Sequence, residues 1–229
     1  NLYPNNHSLN FSIYNSEKLS TIKNLNIIGP IKNNLNNFKT GIFTFYNSDI
    51  SIENFTSEKS ISEDLINCIR SNIKIDNLLI KDSSSDSIDF DFCNVDLNKL
   101  TIIDPSGDGL DFSYTSGSMR DIFVSGALDK GISIGENSII QLDDILLKDN
   151  FIGIAVKDGS YIRGKYIDFI DNKSDVLSYN KKDGYNKTAT FIKHIKSNKE
   201  LRLFNEKNHI LELNNSYIDN HNYDFEVLK

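Results

Sequence analysis

Cysteine is almost absent. Cys68 and Cys93 are the chain's full complement, too few for a disulfide scaffold or a thiolate metal site, so both are expected to be reduced and buried. No apolar run approaches the roughly 20 residues that cross a bilayer as a helix, which argues against insertion into a membrane. Positive charge is also in deficit: 25 Lys and Arg against 32 Asp and Glu leave a net charge of -7. Nucleic acid and anionic membranes both reward clustered cations, so neither is expected as the main partner, and a neutral or cationic ligand fits better. The opening NLYPNNHSLN has neither an initiator Met nor a signal peptide and reads as a processed or excised segment. Helix-period patterning is nearly missing, as are GxSxG, HExxH, P-loop and paired CxxC words. His7, His194, His209 and His221 show no ligand spacing and are expected in solvent.

What the chain does have is a repeat. With 38% hydrophobic and 25% charged residues over 229 positions it has material for a sizeable core. The words GIFTFYN (from Gly41), DLINCIR (Asp64), DSIDFDF (Asp86), DGLDFSY (Asp108), DKGISIGE (Asp129), FIGIAVKD (Phe151) and DVLSYNKK (Asp175) line up, about 22 residues apart. Each is followed by a second apolar alternation, as in DISIENF or SIIQLDDILL, so every repeat holds at least two short strands. A repeat of this size, with Gly, Asp and Ser at its corners, predicts an all-β solenoid in which each repeat is one turn of a parallel β-helix.

Period-two alternation then assigns directions. Ile88, Leu110, Ile132 and Ile154 should form one inward stack, with Phe90, Phe112, Ile134 and Val156 beside it. Asp89, Asp111, Ser133 and Ala155 should point outward, with Tyr179 in the inward stack. The clearest rungs span residues 41–182. Atypical capping rungs are expected near Leu19 and near Asn208, the latter after an irregular stretch from Lys181 to Lys207, all within a single domain 1–229.

The acidic positions are the candidates for function. Asp64, Asp86, Asp108 and Asp129 read as one column at the corner entering the first strand. That much is ordinary turn chemistry, because an Asp side chain bonds to nearby backbone. Asp89 and Asp111 differ, since Asp is depleted in strands and two on adjacent rungs repel. Asp91, Glu136 and Asp158 should lie on the same face or at its far edge. Three agents could offset the repulsion: water and salt, cations such as Lys130, Lys157, Lys181 and Lys182, or a Ca²⁺ held by several oxygens.

The run DSIDFDF, GDGLDFS, DKGISIGE, GIAVKD resembles right-handed parallel β-helix proteins of the pectate-lyase-like superfamily, over roughly residues 41 to 182. Its nearest enzyme analogy is to polygalacturonase-type glycoside hydrolases, whose rungs carry NTD, DD, GHG and RIK. On that resemblance Asp86 falls at the Asp of NTD and Asp108 at the second Asp of DD. Gly107 replaces the family's usual proton donor, Lys130 stands in place of the His, and Ala155 in place of the Arg, with Lys157 kept. The same words are similar to β-helix segments of bacterial surface proteins, which implies an extracellular or cell-surface setting within a larger modular protein. The expectation is a polysaccharide bound, and in a catalytic version cleaved, by the outward first-strand face. Asp86 or Asp89 would work with Asp108 or Asp111 as acid and base. Asp91, Lys130, Glu136, Lys157, Asp158 and Lys181 would contact substrate, the lysines placing an acidic sugar. A lyase version would use bound Ca²⁺. The rival is a non-catalytic spacer or adhesion module, favoured by the short corners between Gly41 and Lys182.

Overall fold

The computed structural model describes residues 8–32, 41–214 and 217–218, and these form a parallel β-solenoid with no helix. His7 and His221 lie outside the described residues. Two parallel sheets run the length of the coil. The first stacks the short strands from Phe11–Tyr14 through Gly41–Tyr46, Asp64–Ile69, Asp86–Asp91, Leu110–Ser113, Lys130–Gly135, Ile152–Lys157 and Ser174–Tyr179 to Leu203–Asn205. The second stacks the longer strands, from Ser20–Ile27 to Ile210–Asn214.

The rung register is the one the sequence pattern predicts. Leu110 pairs with Ile88 on one side and Ile132 on the other, and Phe112 with Phe90 and Ile134. Ile132 pairs in turn with Ile154. All these side chains are fully buried, and the Phe90 and Phe112 rings stack at 5.0 Å. No rung could bury its apolar side alone, so the core exists only because the turns stack. One hydrophobic cluster extends from Ile27 to Leu201.

From the first turn to the one that ends near Asp171, each turn carries three corners, and each corner uses a residue of positive φ. In the turn that begins at Leu110 they are Tyr114, Asp121 and Gly126. The second-sheet strands are therefore bent in the middle. Asn24, Asn54 and Asn77 occupy that bend in successive turns, and their amides form a ladder with bonds of 2.9 and 2.7 Å. Asn tolerates the left-handed region better than most residues, which explains its use there.

A second, buried ladder lies just inside the first corner. Cys93 N–H donates to Thr115 Oγ1, Thr115 N–H to Ser138 Oγ, and Ser138 N–H to Ser160 Oγ, at 3.0 to 3.2 Å. Cys93 is thus a rung of a hydroxyl ladder, its thiol directed at the carbonyls of Cys68 and Asp91. Burial pushes that thiol up to about 12 and raises Cys68 as well, so both stay protonated and inert.

Four expectations change. Asp129 is not in the corner column: Leu110 pairs with Ile132, so the residue opposite Asp108 is Lys130. Tyr179 pairs with Lys157, outside the wall, and Ser178 takes the inward place beside Val156. The stretch from Lys181 to Lys207 is not irregular throughout, since it contains the strands Ala189–Ser197 and Leu203–Asn205. His209 is not in solvent; its Nδ1 accepts the Thr188 N–H at 3.0 Å and its Nε2 faces Glu206 at 3.3 Å. His194 stacks on Tyr166 at the second corner.

Candidate functional site: the acidic outer face of the first sheet

With Ile88 and Phe90 driven into the core, Asp89 and Asp91 must face outward, and the same holds for Asp111 between Leu110 and Phe112. One outward column reads Asn67, Asp89, Asp111, Ser133, Ala155. Beside it runs the corner column Asp64, Asp86, Asp108, Lys130. The face is not evenly open: Asp89 and Asp111 are half-buried, whereas Ser133 and Ala155 are fully covered.

The corner aspartates bond to backbone, but across rungs. Asp86 Oδ1 accepts the N–H of Asp108 at 2.7 Å, and Asp108 Oδ1 accepts the N–H of Lys130 at 2.9 Å. Lys130 Nζ also reaches Asp108 at 3.1 Å and Asp129. Lys130 is therefore committed to two carboxylates, and Lys157 is buried. Neither cation is free to hold an acidic sugar.

Asp89 accepts a 2.9 Å bond from Asn67 Nδ2. Its neighbour Asp111 has an oxygen, Oδ1, that is shielded from solvent and has no hydrogen-bond partner among the described residues, and the buried Ser133 Oγ next to it likewise has none. Oxygens of Asp86, Asp108 and Asp111 lie within 4.8 Å of one another. Such crowding, out of water, favours protons. Burial, followed by the charges of Asp91, Asp64 and Asp111, raises Asp89 to about 9. Burial raises Asp108 to about 6 against the pull of Lys130. Asp86 and Asp91 are raised too, again mainly by burial. Lys130 would be lowered by its burial, but Asp108 and Asp129 hold it above its ordinary value.

These shifts predict an acid-stabilised protein. An unfolded Asp titrates near 3.9, so between about pH 4 and pH 9 the folded chain binds more protons than the unfolded one, and its stability falls as pH rises. Melting temperature should therefore drop from pH 5 to pH 8, each ~1 kcal/mol lost appearing as about 2–4 °C in a chain of this length. A flat or rising profile would contradict the protonated cluster.

A wall that the short corners did not foreshadow comes from the insertion between Tyr179 and Ala189. Asp158, wholly buried, accepts the N–H groups of Lys181 and Lys182 at 2.7 and 2.8 Å on one oxygen, fixing the base of this loop. Lys182 Nζ then pairs with Glu136, and the Tyr185 hydroxyl bonds to that of Tyr114. Although burial pushes Glu136 up, hydrogen bonds from Lys182 and Ser113 hold its carboxyl below the usual range. Tyr114 in turn stacks flat on Phe92 at 4.6 Å. The loop thus borders the face on the side of Asp91, whose carboxyl feels both Glu136 and Lys182. Tyr179, in the strand just before the loop, senses Lys130, Asp129, Asp108 and Asp158 through its hydroxyl. Lys181 contributes its backbone, with its side chain exposed. The signal in the sequence was the interval itself: the first corner takes two residues after Asp91 or Ser113 but nine after Tyr179.

Three carboxylate oxygens so close together have the right chemistry for a hard cation, with water completing the 6–8 ligands that Ca²⁺ takes. Ca²⁺ at millimolar concentration is expected to raise the melting temperature by mass action on the folded state. A curve indifferent to both Ca²⁺ and chelator would remove the metal.

No protein-family model and no curated protein matches the chain. Among solved structures, the catalytic domain of a GH87 α-1,3-glucanase in complex with nigerose is similar over 95% of this chain, at 11% identity and a TM-score of 0.42. The chain spans 60% of the length of that domain.

Proposed function

We propose that the outer face of the first sheet binds a polysaccharide and hydrolyses it, with Asp89 and Asp111 as the working pair. The observation that carries this reading is the register pairing of Asp89, whose carboxyl burial pushes up to about 9, with Asp111, which presents an oxygen unpartnered among the described residues on the adjacent rung. A protonated carboxyl beside a second carboxylate is the equipment of glycosidic cleavage: one protonates the leaving oxygen, and the other activates water or attacks the sugar carbon. The loop carrying Lys182 and Tyr185 borders the face and gives a sugar chain something to lie against.

Charge selects the substrate class. Lys130 is bound to Asp108 and Asp129, Lys182 to Glu136, and Lys157 is buried, so the face offers carboxylates, with the exposed Lys181 side chain at the loop as the remaining cation. A polymer of uronic acids would be repelled, and the substrate is a neutral or amino-bearing polysaccharide. The setting that goes with such a substrate is extracellular or at a cell surface, within a modular protein.

A second reading, of a rigid spacer module without catalysis, is favoured by the inter-rung bonds of Asp86, Asp108, Asp158 and Asp175, each of which ties a carboxylate to backbone of a later turn. The test is the intact chain against immobilised neutral, amino-bearing and uronate polysaccharides, with reducing ends measured over time. Binding of the first two classes with release of ends is expected. Binding without release leaves recognition alone, and absence of binding leaves the spacer.

A further inference from the structure

Outside the acidic face, the strongest irregularity in the molecule is electrostatic and lies on the second sheet. Over its earlier turns, cations on this sheet are paired with acids: Lys23 with Glu53, Lys74 with Asp96, Lys81 with Glu58, Arg120 with Asp143. Within the later strands Tyr161–Ile170 and Ala189–Ser197 no such pair is found among the described residues, the nearest being Lys199 with Asp171 just beyond them. Arg163, Lys165 and Lys193 are exposed and, among the described residues, take part in no ion pair. Lys165 and Lys193 are direct register partners on adjacent rungs, about 4.8 Å apart along the sheet. Like charges placed opposite each other destabilise a sheet; on its other side Lys165 faces Asp143, which Arg120 already engages, and its ammonium lies over the Tyr166 ring at 4.4 Å.

These cations border a concavity of 560 Å³, which also takes in Tyr161 and Phe191. The two rings sit 5.6 Å apart, tilted by 44°, and Phe191 is the register partner of Arg163. The acids at the margin are Asp143, already engaged by Arg120, and Glu212, opposite Phe191. A hollow of this volume suits a few sugar units rather than a protein surface. Aromatic rings accept the C–H face of a pyranose, and a planar guanidinium beside two ammonium groups suits carboxylate or sulfate substituents.

We infer that this hollow, formed by Arg163, Lys165 and Lys193 around Phe191 and Tyr161, is a binding site for an anionic polysaccharide. It is separate from the acidic face and does not rest on the hydrolytic reading. With a chain of net charge -7, the long-range field opposes a polyanion, so the attraction is local and strongly salt-dependent.

The experiment measures binding of the intact chain to polygalacturonate, to dextran sulfate and to neutral dextran, at low salt and at roughly 0.5 M. At least one anionic polymer is expected to bind at low salt and to be released by high salt, whereas any binding of dextran, which would report on the acidic face, should not depend on salt. The two anionic arms distinguish carboxylate from sulfate as the group read. Lys165→Ser with Lys193→Ser should weaken binding about tenfold or more, the equivalent of 1.4 kcal/mol, without lowering the melting temperature, because a repulsion is removed. Arg163→Gln should weaken it as well, and Lys74→Ser, at a paired lysine on the same sheet, should not. The inference fails if neither anionic polymer binds or if the double variant binds like the parent. It fails equally if Lys74→Ser loses as much, or if duplex DNA binds as tightly as the glycans.

Discussion

Leu110→Asp is expected to abolish the native state. Leu110 is fully buried at the middle of its stack, with Ile88 and Ile132 directly above and below. A carboxylate there would have no partner and no water. Leaving a polar group unpaired in such a place costs several kcal/mol, to which the lost burial of a leucine adds about 1.5–3. The total approaches the ~5–15 kcal/mol by which whole domains are stable. Because each turn of a solenoid contacts only its neighbours, a broken turn in the middle also removes the interface on which both halves depend. Circular dichroism and melting would show the loss. Lys148→Ala is the matched control: Lys148 is exposed and its partner Asp149 sits 3.7 Å away in solvent, so the change should lie within about 0.5 kcal/mol. A Leu110→Asp protein that melts like the parent would overturn the rung register.

The columns were legible because side-chain direction in a strand has period two and the repeat length is nearly constant. Ile88, Leu110, Ile132 and Ile154 could be stacked by counting alone, and the structure pairs them so. Counting failed where the spacing slips by one residue. DKGISIGE begins with Asp129, yet the apolar phase set by Ile132 and Ile134 puts Lys130 opposite Asp108, so an apparent fourth aspartate is an ammonium that binds the third. Packing phase outranks the resemblance of words. Tyr179 went wrong in the opposite way: an aromatic residue near the end of an apolar strand suggested core, while Val176 and Ser178 hold the inward positions. The loop from Asn180 to Lys187 was visible only as an overlong interval. Its docking depends on a buried carboxylate, Asp158, and on the contacts Lys182 to Glu136 and Tyr185 to Tyr114, pairs 46 and 71 residues apart that no local pattern links.

Changing Asp89 and Asp111 together to Thr should make the protein more stable and remove its glycan binding. At pH 7 an aspartate whose folded pKa is about 9 but whose unfolded value is near 3.9 destabilises the fold by up to about 4 kcal/mol. Thr carries no charge and favours strands. Against this stands the loss of the bond from Asn67 to Asp89, worth about 1 kcal/mol. The balance is a rise in melting temperature of about 5 °C or more at neutral pH, shrinking toward pH 4, where Asp89 takes up its proton in the unfolded chain as well. Removing the pair also removes the proton and the unpartnered oxygen through which the face would grip and cleave a sugar chain, so binding and release of reducing ends should both vanish. Natural proteins keep mutually repelling groups at the expense of stability where those groups act on a ligand. Melting curves at pH 5 and pH 8 and the polysaccharide assay, run on parent and double variant, separate the readings. A variant that is more stable but binds as the parent does would make Asp89 and Asp111 mere surface strand residues. One that is less stable would mean that the cluster holds the turns together, through a cation or through shared protons, rather than straining them.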